Sequence, residues 1–306
     1  MSQLDEMRTL IAIADAQSLT GASRTMNIAL SAVSRRLKDL EQRLGTTLVL
    51  RSTRSINFTT AGEEYLLRCR QIIEDIQEAD ISISQGVDQL IGRIRLAAPL
   101  TFSTLHLGQI LFDFMAYHPG VNIELDLNDR QVDLIGEGFD LAIRIGRLTD
   151  SNLIAKRLTS IRHVPCASPA LLKKYGMPAR PEDLANMPTL TYKSARTHTT
   201  WPFTRPNGTK GVVKTSGRLT VNNGEIVRMA AQNDLGVVLE PTFITHKAIA
   251  NGTLIPLFVD HIWSDNAAYA VFASNRNLPK RVRALIDFIA EKLTSEPEWD
   301  KVIKQK

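Results

Sequence analysis

The sequence predicts an α/β chain in three parts: a small, mostly helical head with a two-stranded wing, one long linking helix, and a two-lobed α/β domain. Three observations carry that prediction. Residues 18–44 hold two helices broken at Met26-Asn27, the second with one apolar and one basic face. Residues 61–90 hold an apolar seam with a mean period near 3.5. From residue 91 onward, short apolar strands alternate with helical stretches, the order of a layered α/β fold.

A first helix is expected from Leu4 to Ala16, with Leu4, Met7, Leu10, Ile11 and Ala14 turned inward. Ser18 or Thr20 then caps a short helix containing Ala22, Ser23 and Met26. The small residues Ala22 and Ser23 let two helices cross closely, as a helix-turn-helix requires. In the next helix Val33, Leu37, Leu40 and Leu44 recur at four, three and four residues, so they form one stripe. The opposite side presents Ser31, Arg35, Lys38 and Gln42, with Ser34 on the flank. These donors suit phosphates and base edges. Alone, the same pattern fits a solvated surface helix.

The context favours DNA. After Gly45, the runs Leu48–Leu50 and Ile56–Phe58 flank Arg51-Ser52-Thr53-Arg54-Ser55, which reads as a wing with Arg51 and Arg54 at the phosphate backbone. Residues 35–54 carry six Arg/Lys against two acids, a local charge of +4 in a chain whose total is +5. Counterion release from such a patch makes binding fall steeply with salt. Ser18, Thr20, Ser31, Ser34, Arg35, Lys38, Arg51 and Arg54 are therefore the candidate DNA contacts.

This segment resembles the N-terminal domain of LysR-type transcriptional regulators. The matching residues are Ala22, Ala32-Val33-Ser34-Arg35, Leu40-Glu41, Leu44-Gly45, Leu48, Arg51 and Thr59-Thr60-Ala61-Gly62. The resemblance implies a winged helix-turn-helix over residues 1–60, its two helices spanning Ser18 to Leu37, with Ser34 and Arg35 on DNA. The family usually has Ser-Gln-Pro where this chain has Ala29-Leu30-Ser31. Ala29 cannot cap a helix, which leaves Ser31 or Asn27 for that role. Leu30 can touch a thymine methyl but cannot hydrogen-bond a base.

Residues 61–90 form the linker. Tyr65, Cys69, Ile72, Ile76, Ala79 and Ile83 recur at four, three, four, three and four, a heptad seam. The segment holds two Arg against seven acids, a net charge of −5 that keeps it off the phosphates. Given the resemblance, the seam is read as a dimer contact; the alternative is packing on the chain's own head. Residues 85–92 read as a hinge.

Residues 91–306 are expected to form two lobes, the first from about 91–162 and 268–306, the second from about 163–267. Strands at Arg93–Ala97, Val121–Leu125 and Leu141–Ile145, with helices at Ser103–Tyr117 and Val132–Gly136, make a βαβαβ order and a parallel sheet. The second lobe reads as helix Pro169–Tyr175, strands Thr189–Tyr192, Arg218–Val221 and Val237–Leu239, and a helix at Gly224–Asn233. The chain returns through Ala268–Ala273 and a helix at Pro279–Leu293. This half resembles the effector domain of the same family, shaped like a periplasmic binding protein, most clearly at Gly138-Phe139-Asp140-Leu141-Ala142-Ile143-Arg144.

A cleft between lobes is the place for a small ligand. Its candidates are Thr101, Ser103, Asn128, Arg130 and Arg144 from the first lobe, and Trp201, Asn222 and Asn223 from the second. For each, a cap, a core position or a loop position is the competing reading. Residues 151–220 contain twelve Arg/Lys and two acids, which suits an anionic effector.

The remaining features narrow the class. There is no long apolar run, no signal-peptide pattern, no metal-ligand spacing among six histidines, and no phosphate loop or nucleophile motif. No enzyme activity, cofactor, metal or membrane contact is expected. Cys69 and Cys166 fall in different predicted domains, so no disulfide is expected and a reducing cytoplasm fits; a redox role for Cys166 lacks a sequence partner. The expected partners are pseudo-palindromic double-stranded DNA, a small effector, further copies of the chain as dimer and tetramer, and RNA polymerase. A solute receptor, an enzyme on the same lobes, and a nucleoid-type DNA binder are the alternatives.

Overall fold

The computed structural model describes residues 2–51, 56–84, 90–147, 152–193, 200–215, 217–273 and 278–304. The chain forms two compact units. One comprises Met1–Arg93, His118–Asn122 and Ile135–Gly138; the other is the remainder.

The first unit begins with α1 (Gln3–Ala16), α2 (Leu19–Met26) and α3 (Leu30–Leu44). All three end in a left-handed residue, Gln17, Asn27 and Gly45, whose N–H turns back onto the helix just ended. Leu10, Ile13, Ala22, Val33, Leu37 and Leu40 are buried together, so the stripe read from the sequence is the core face. Neither Ser31 nor Asn27 caps α3: Asn27 closes α2, and Ala29 stands at the α3 N-cap with no side-chain bond.

Strands β1 (Val49–Arg51) and β2 (Ile56–Phe58) pair antiparallel to form the wing. The turn at 52–55, including Arg54, lies outside the described residues. The wing is tied to the helices by Glu41, whose carboxylate accepts from the backbone N–H of Leu48 (2.8 Å) and Val49 (3.1 Å). Thr59 then holds α4 (Thr60–Ser84) to the wing, accepting from Gly62 N at 3.0 Å and donating to Thr47 O at 2.9 Å. A Cβ at Gly62 would stand 2.1 Å from the Leu48 carbonyl oxygen. Only glycine permits this approach, which accounts for the Thr-Thr-Ala-Gly run.

The inward face of α4 differs from the expected seam. Cys69 is fully buried in the head's own core, with Ile73 buried and Tyr65 and Leu66 packed beside it. Four residues of helix separate Cys69 from Ile73, so that face turns toward α1 and leaves Ile72 exposed and Ile76 half-buried. The side chains of Ala79 and Ile83 and the hinge residues 85–89 lie outside the described residues.

The second unit holds two five-stranded sheets. The first-lobe sheet has the order β4-β3-β5-β14-β6, from β3 (Gly92–Ala98), β4 (Val121–Leu127), β5 (Leu141–Gly146), β6 (Leu153–Ile161) and β14 (Asn266–Ala273). It is not wholly parallel, because the returning β14 runs antiparallel to both β5 and β6. After β3 the helical run α5 (Leu100–Phe102), a π turn (Ser103–Leu107) and α6 (Gly108–Tyr117) follow without a break. No helix forms over 132–136; the chain is irregular to 133 and then turns over 134–138. Five residues bounded by Gly136 and the left-handed Gly138 are too few to propagate one.

The second-lobe sheet has the order β11-β8-β12-β7-β13. Its members are β7 (His163–Ala167), β8 (Thr189–Tyr192), β11 (Leu219–Val221), β12 (Val237–Pro241) and β13 (Ile255–Pro256). The helices α7 (Pro169–Tyr175), α8 (Gly224–Gln232) and α9 (Thr242–Ala250) pack with it, and β9 (Thr200–Thr204) pairs with β10 (Lys210–Lys214) as a separate hairpin. The chain closes with α10 (Lys280–Lys292), a 3-10 turn (Glu298–Asp300) and α11 (Lys301–Lys304). Among the described residues no helix is long and apolar enough to cross a membrane.

Candidate DNA-binding face and effector cleft

On α3, Ser31, Arg35 and Lys38 are exposed, Ser34 is half-buried, and Leu30 is 45% exposed at the first turn. The helix therefore offers a donor-rich face with an apolar tip. Arg36 and Arg43, also basic, are engaged with the head: Arg36 lies 3.4 Å from the Thr9 hydroxyl, and Arg43 donates twice to the buried carboxylate of Glu6 at 3.0 and 2.8 Å. Bonds to Tyr65 and Glu6 raise the pKa of Arg43 further. The hydroxyl of Ser18 is spent capping α2, where it accepts from Gly21 N at 3.1 Å. Thr20 is exposed on the same turn.

In the second unit, β8, β11 and β12 run parallel, so their C-terminal ends share one edge of the sheet. That edge faces the first lobe. The phenol of Tyr192, at the end of β8, donates to Asp129 Oδ2 at 2.9 Å. Asp129 Oδ1 in turn accepts from Leu100 N at 3.3 Å, at the start of the first-lobe helical run. A further contact between lobes joins His106 Nε2 to the Phe243 carbonyl at 3.1 Å, with Phe102 edge-on to Phe243 at 5.3 Å.

Thr101 and Ser103 are buried beside this junction, and the hydroxyl of neither has a hydrogen-bond partner. Thr104, one residue on, behaves as helical threonines usually do and bonds back to the Leu100 and Thr101 carbonyls. The π turn starting at Ser103 is a departure of the kind that clusters at functional sites.

The other expected effector residues divide. Asn128 bonds within its own turn, donating to Asp126 at 2.7 Å and accepting from Arg130 N at 3.2 Å. Arg144 holds the Val132 carbonyl at 2.8 Å and leaves its buried Nε unpartnered; burial lowers its pKa. Asn223 is the N-cap of α8, accepting from Ile226 N at 3.1 Å, and Asn222 is exposed. Trp201 is 5% exposed inside a core of Leu171, Leu184, Phe203 and Trp263. Its place in the hairpin directs the indole inward, so it does not line the cleft. A pocket of about 260 Å³ between Ser160, Ser295, Glu296, Pro297, Asp300 and Lys301 includes none of the cleft hydroxyls.

Both family models that match this chain describe the same kind of protein. Residues 4–63 match the bacterial regulatory helix-turn-helix protein, lysR family, and residues 88–294 match the LysR substrate binding domain. The chain belongs to the LysR family of transcriptional regulators. The regulator thus joins a DNA-binding helix-turn-helix to an effector-binding domain. An uncharacterized HTH-type transcriptional regulator of Haemophilus influenzae is 33% identical over 285 residues, 93% of this chain and 99% of its own. The regulator PtxR of Pseudomonas aeruginosa is 31% identical over 294 residues, 96% of this chain and 94% of its own. Among solved structures, CrgA of Neisseria meningitidis, a LysR-type transcriptional regulator, is 27% identical with a TM-score of 0.60, covering 96% of this chain and 100% of CrgA. The full-length Vibrio cholerae virulence activator AphB is 25% identical with a TM-score of 0.61, again over 96% and 100%.

Three polar residues at or beside the junction of the regulator's lobes carried no mark in the sequence: Asp129 and Tyr192, which join the lobes, and Glu240, level with Tyr192 on the same sheet. Glu240 is 1% exposed, and its Oε1 has no hydrogen-bond partner. Burial, and then the charge of Glu225, push its pKa well above the ordinary carboxylate range. The Tyr192 phenol is pushed up by burial and by Asp129 and Glu240. Both cysteines are buried and unpaired as a disulfide. Burial raises the Cys69 thiol to about 11 and the Cys166 thiol further, which leaves little thiolate for chemistry at neutral pH.

Proposed function

We propose that this regulator binds a pseudo-palindromic promoter site as a cytoplasmic dimer, paired again into a tetramer, and that a small anionic effector seated between the lobes switches it. The observation that carries the effector reading is the pair of buried, unpartnered hydroxyls of Thr101 and Ser103. A buried hydroxyl without a partner costs about 1–3 kcal/mol, a cost a ligand oxygen at that place removes. The Tyr192–Asp129 bond across the lobes supplies the two-state element, since a ligand that favours the closed or the open arrangement shifts the assembly between them.

On DNA, Ser34, Arg35 and Lys38 act from α3, with Ser31 at its start, Thr20 beside it, and Arg51 and Arg54 from the wing. Ile72 and Ile76 supply the dimer contact of the linking helix. A change in spacing between two heads alters the DNA bend and the access of RNA polymerase. The test is anisotropy of labelled promoter DNA titrated with the regulator across salt, with small carboxylates and their neutral amide counterparts added. Salt-sensitive, sequence-selective binding that responds to carboxylates alone is expected. Equal response to the amides removes the anionic effector, and sequence-blind binding removes the operator reading.

A further inference from the structure

We infer that Glu240 receives a proton-donating end of the effector, so that the cleft takes a small carboxylate bearing an ammonium or hydroxyl group. This rests on the cleft proposed above and narrows what it accepts.

The placement follows from topology. Glu240 is the last residue but one of β12, on the edge shared with Tyr192 and Val221. Tyr192 reaches the first lobe from that edge through Asp129. A Cβ built on Gly224, the first residue of α8, would lie 3.1 Å from Glu240 Oε2, so the carboxyl sits where the helix begins. The start of the helix is thus clear of a side chain, and Ile244 and the Glu240 carboxyl pack against it.

The energetics point the same way. A buried acid normally meets a base, a hydroxyl or a cluster of backbone N–H groups. Glu240 Oε1 meets none, and the charge that acts on it, Glu225, is of its own sign. Glu225 is itself held by Arg228 across one helical turn. Nothing of the fold requires an acid here: a leucine or glutamine would fill a strand end between Val164 and the α8 start with less cost. The group has the features of a site held open for a donor. Across the Tyr192–Asp129 bond, the first-lobe helical run that begins at Leu100 carries the unpartnered hydroxyls of Thr101 and Ser103, which can donate to a carboxylate. One end of the cleft then offers donors and the other an acceptor. A ligand with an acceptor at one end and a donor at the other satisfies both, a hydroxyl by bonding to the carbonyl oxygen of the protonated Glu240 and an ammonium by pairing with its carboxylate once the acid's proton has passed to solvent; a plain carboxylate leaves that oxygen unmet.

Isothermal titration on the full-length chain tests this. The probes are amino- and hydroxycarboxylates of two to six carbons, with the matching unsubstituted carboxylates and amines. The expected result is that one chain length of the amino or hydroxy acids binds at least about ten-fold tighter than its unsubstituted carboxylate. Glu240→Leu, which removes the acceptor, is expected to erase that preference, and Glu240→Gln to weaken the ammonium compound more than the hydroxyl one. The two sources of the donor are thereby separated. If the unsubstituted carboxylates bind as well as the substituted ones, and Thr101→Val abolishes both, the cleft reading stands and the role of Glu240 falls. Binding by none of the probes overturns the ligand class itself. Discrimination by the wild-type chain needs no variant, so a misfolded Glu240 substitution does not leave the question open.

Discussion

The head and the effector domain treat buried polar groups in opposite ways. In the head, Glu6 is held by Arg43, Glu41 by two backbone N–H groups, and Thr59 by its neighbours on the wing and α4. Among the described residues, every buried side-chain polar atom without a partner lies in the other unit: on Thr101, Ser103, Arg144, Glu182, Glu240 and Trp299. A domain that must present one rigid face spends its polar groups on its own geometry. A domain that must receive a molecule keeps some back.

The head is where substitutions should cost most. Gly62→Ala drives a methyl group into the Leu48 carbonyl and should destabilise the head by about 3 kcal/mol or more, seen as an early separate melting transition. A head that melts as before would mean that wing and helix part easily. Glu41→Ala strands two N–H groups in the core and should cost about 2–3 kcal/mol in denaturant unfolding of the same transition. Arg35→Ala should weaken promoter binding by about 1–3 kcal/mol. Selective loss on the promoter assigns Arg35 to a base; uniform loss with a shallower salt slope assigns it to a phosphate.

The cleft should answer differently. The raised pKa of Glu240 means that the folded chain keeps a proton which the unfolded chain releases above about pH 4. The stability from this group is therefore full below that value and is lost as pH rises. In Glu240→Gln that loss disappears, so the melting temperature of the variant relative to wild type should climb as pH rises above about 4. A parallel pH profile would assign the drift to other groups. The smallest effect falls on Thr101→Val, which replaces an unpartnered hydroxyl by a methyl group. It should leave domain stability unchanged or raise it by up to about 1 kcal/mol while the effector response is lost. A full response in this variant takes Thr101 out of the site.

These differences also explain what could be read from the sequence. The head was legible because its signals are local: the stripe Val33, Leu37, Leu40 and Leu44, the wing runs, and a glycine forced by one close approach. The seam was only partly legible. A heptad pattern records which face of α4 is apolar, but not whether a partner or the chain's own α1 covers it, and Cys69 is covered from within. In the effector domain much of the succession of strands and helices was readable, while β6, β7, the β9–β10 hairpin, α9 and the two-residue β13 were not, because their apolar residues follow no clean period. For Trp201 the sequence left a core position and a ligand platform as competing readings; the hairpin turns it into the core. Asp129, Tyr192 and Glu240 carried no signal. Each is a single polar residue at the end of an ordinary strand or turn, and their meaning comes from residues far along the chain that fold against them.

The contact at Gly62 has a mechanical side. With no side chain between them, the wing and the 25-residue helix α4 meet backbone to backbone. A helix of that length is a rod of about 37 Å. Tilting it by five degrees displaces its far end by roughly 3 Å. The same core that holds Leu48 and Val49 also holds Cys69 and Ile73, so the rod's near end and the wing move as one piece with α3, and a tilt of α4 carries the whole reading head with it.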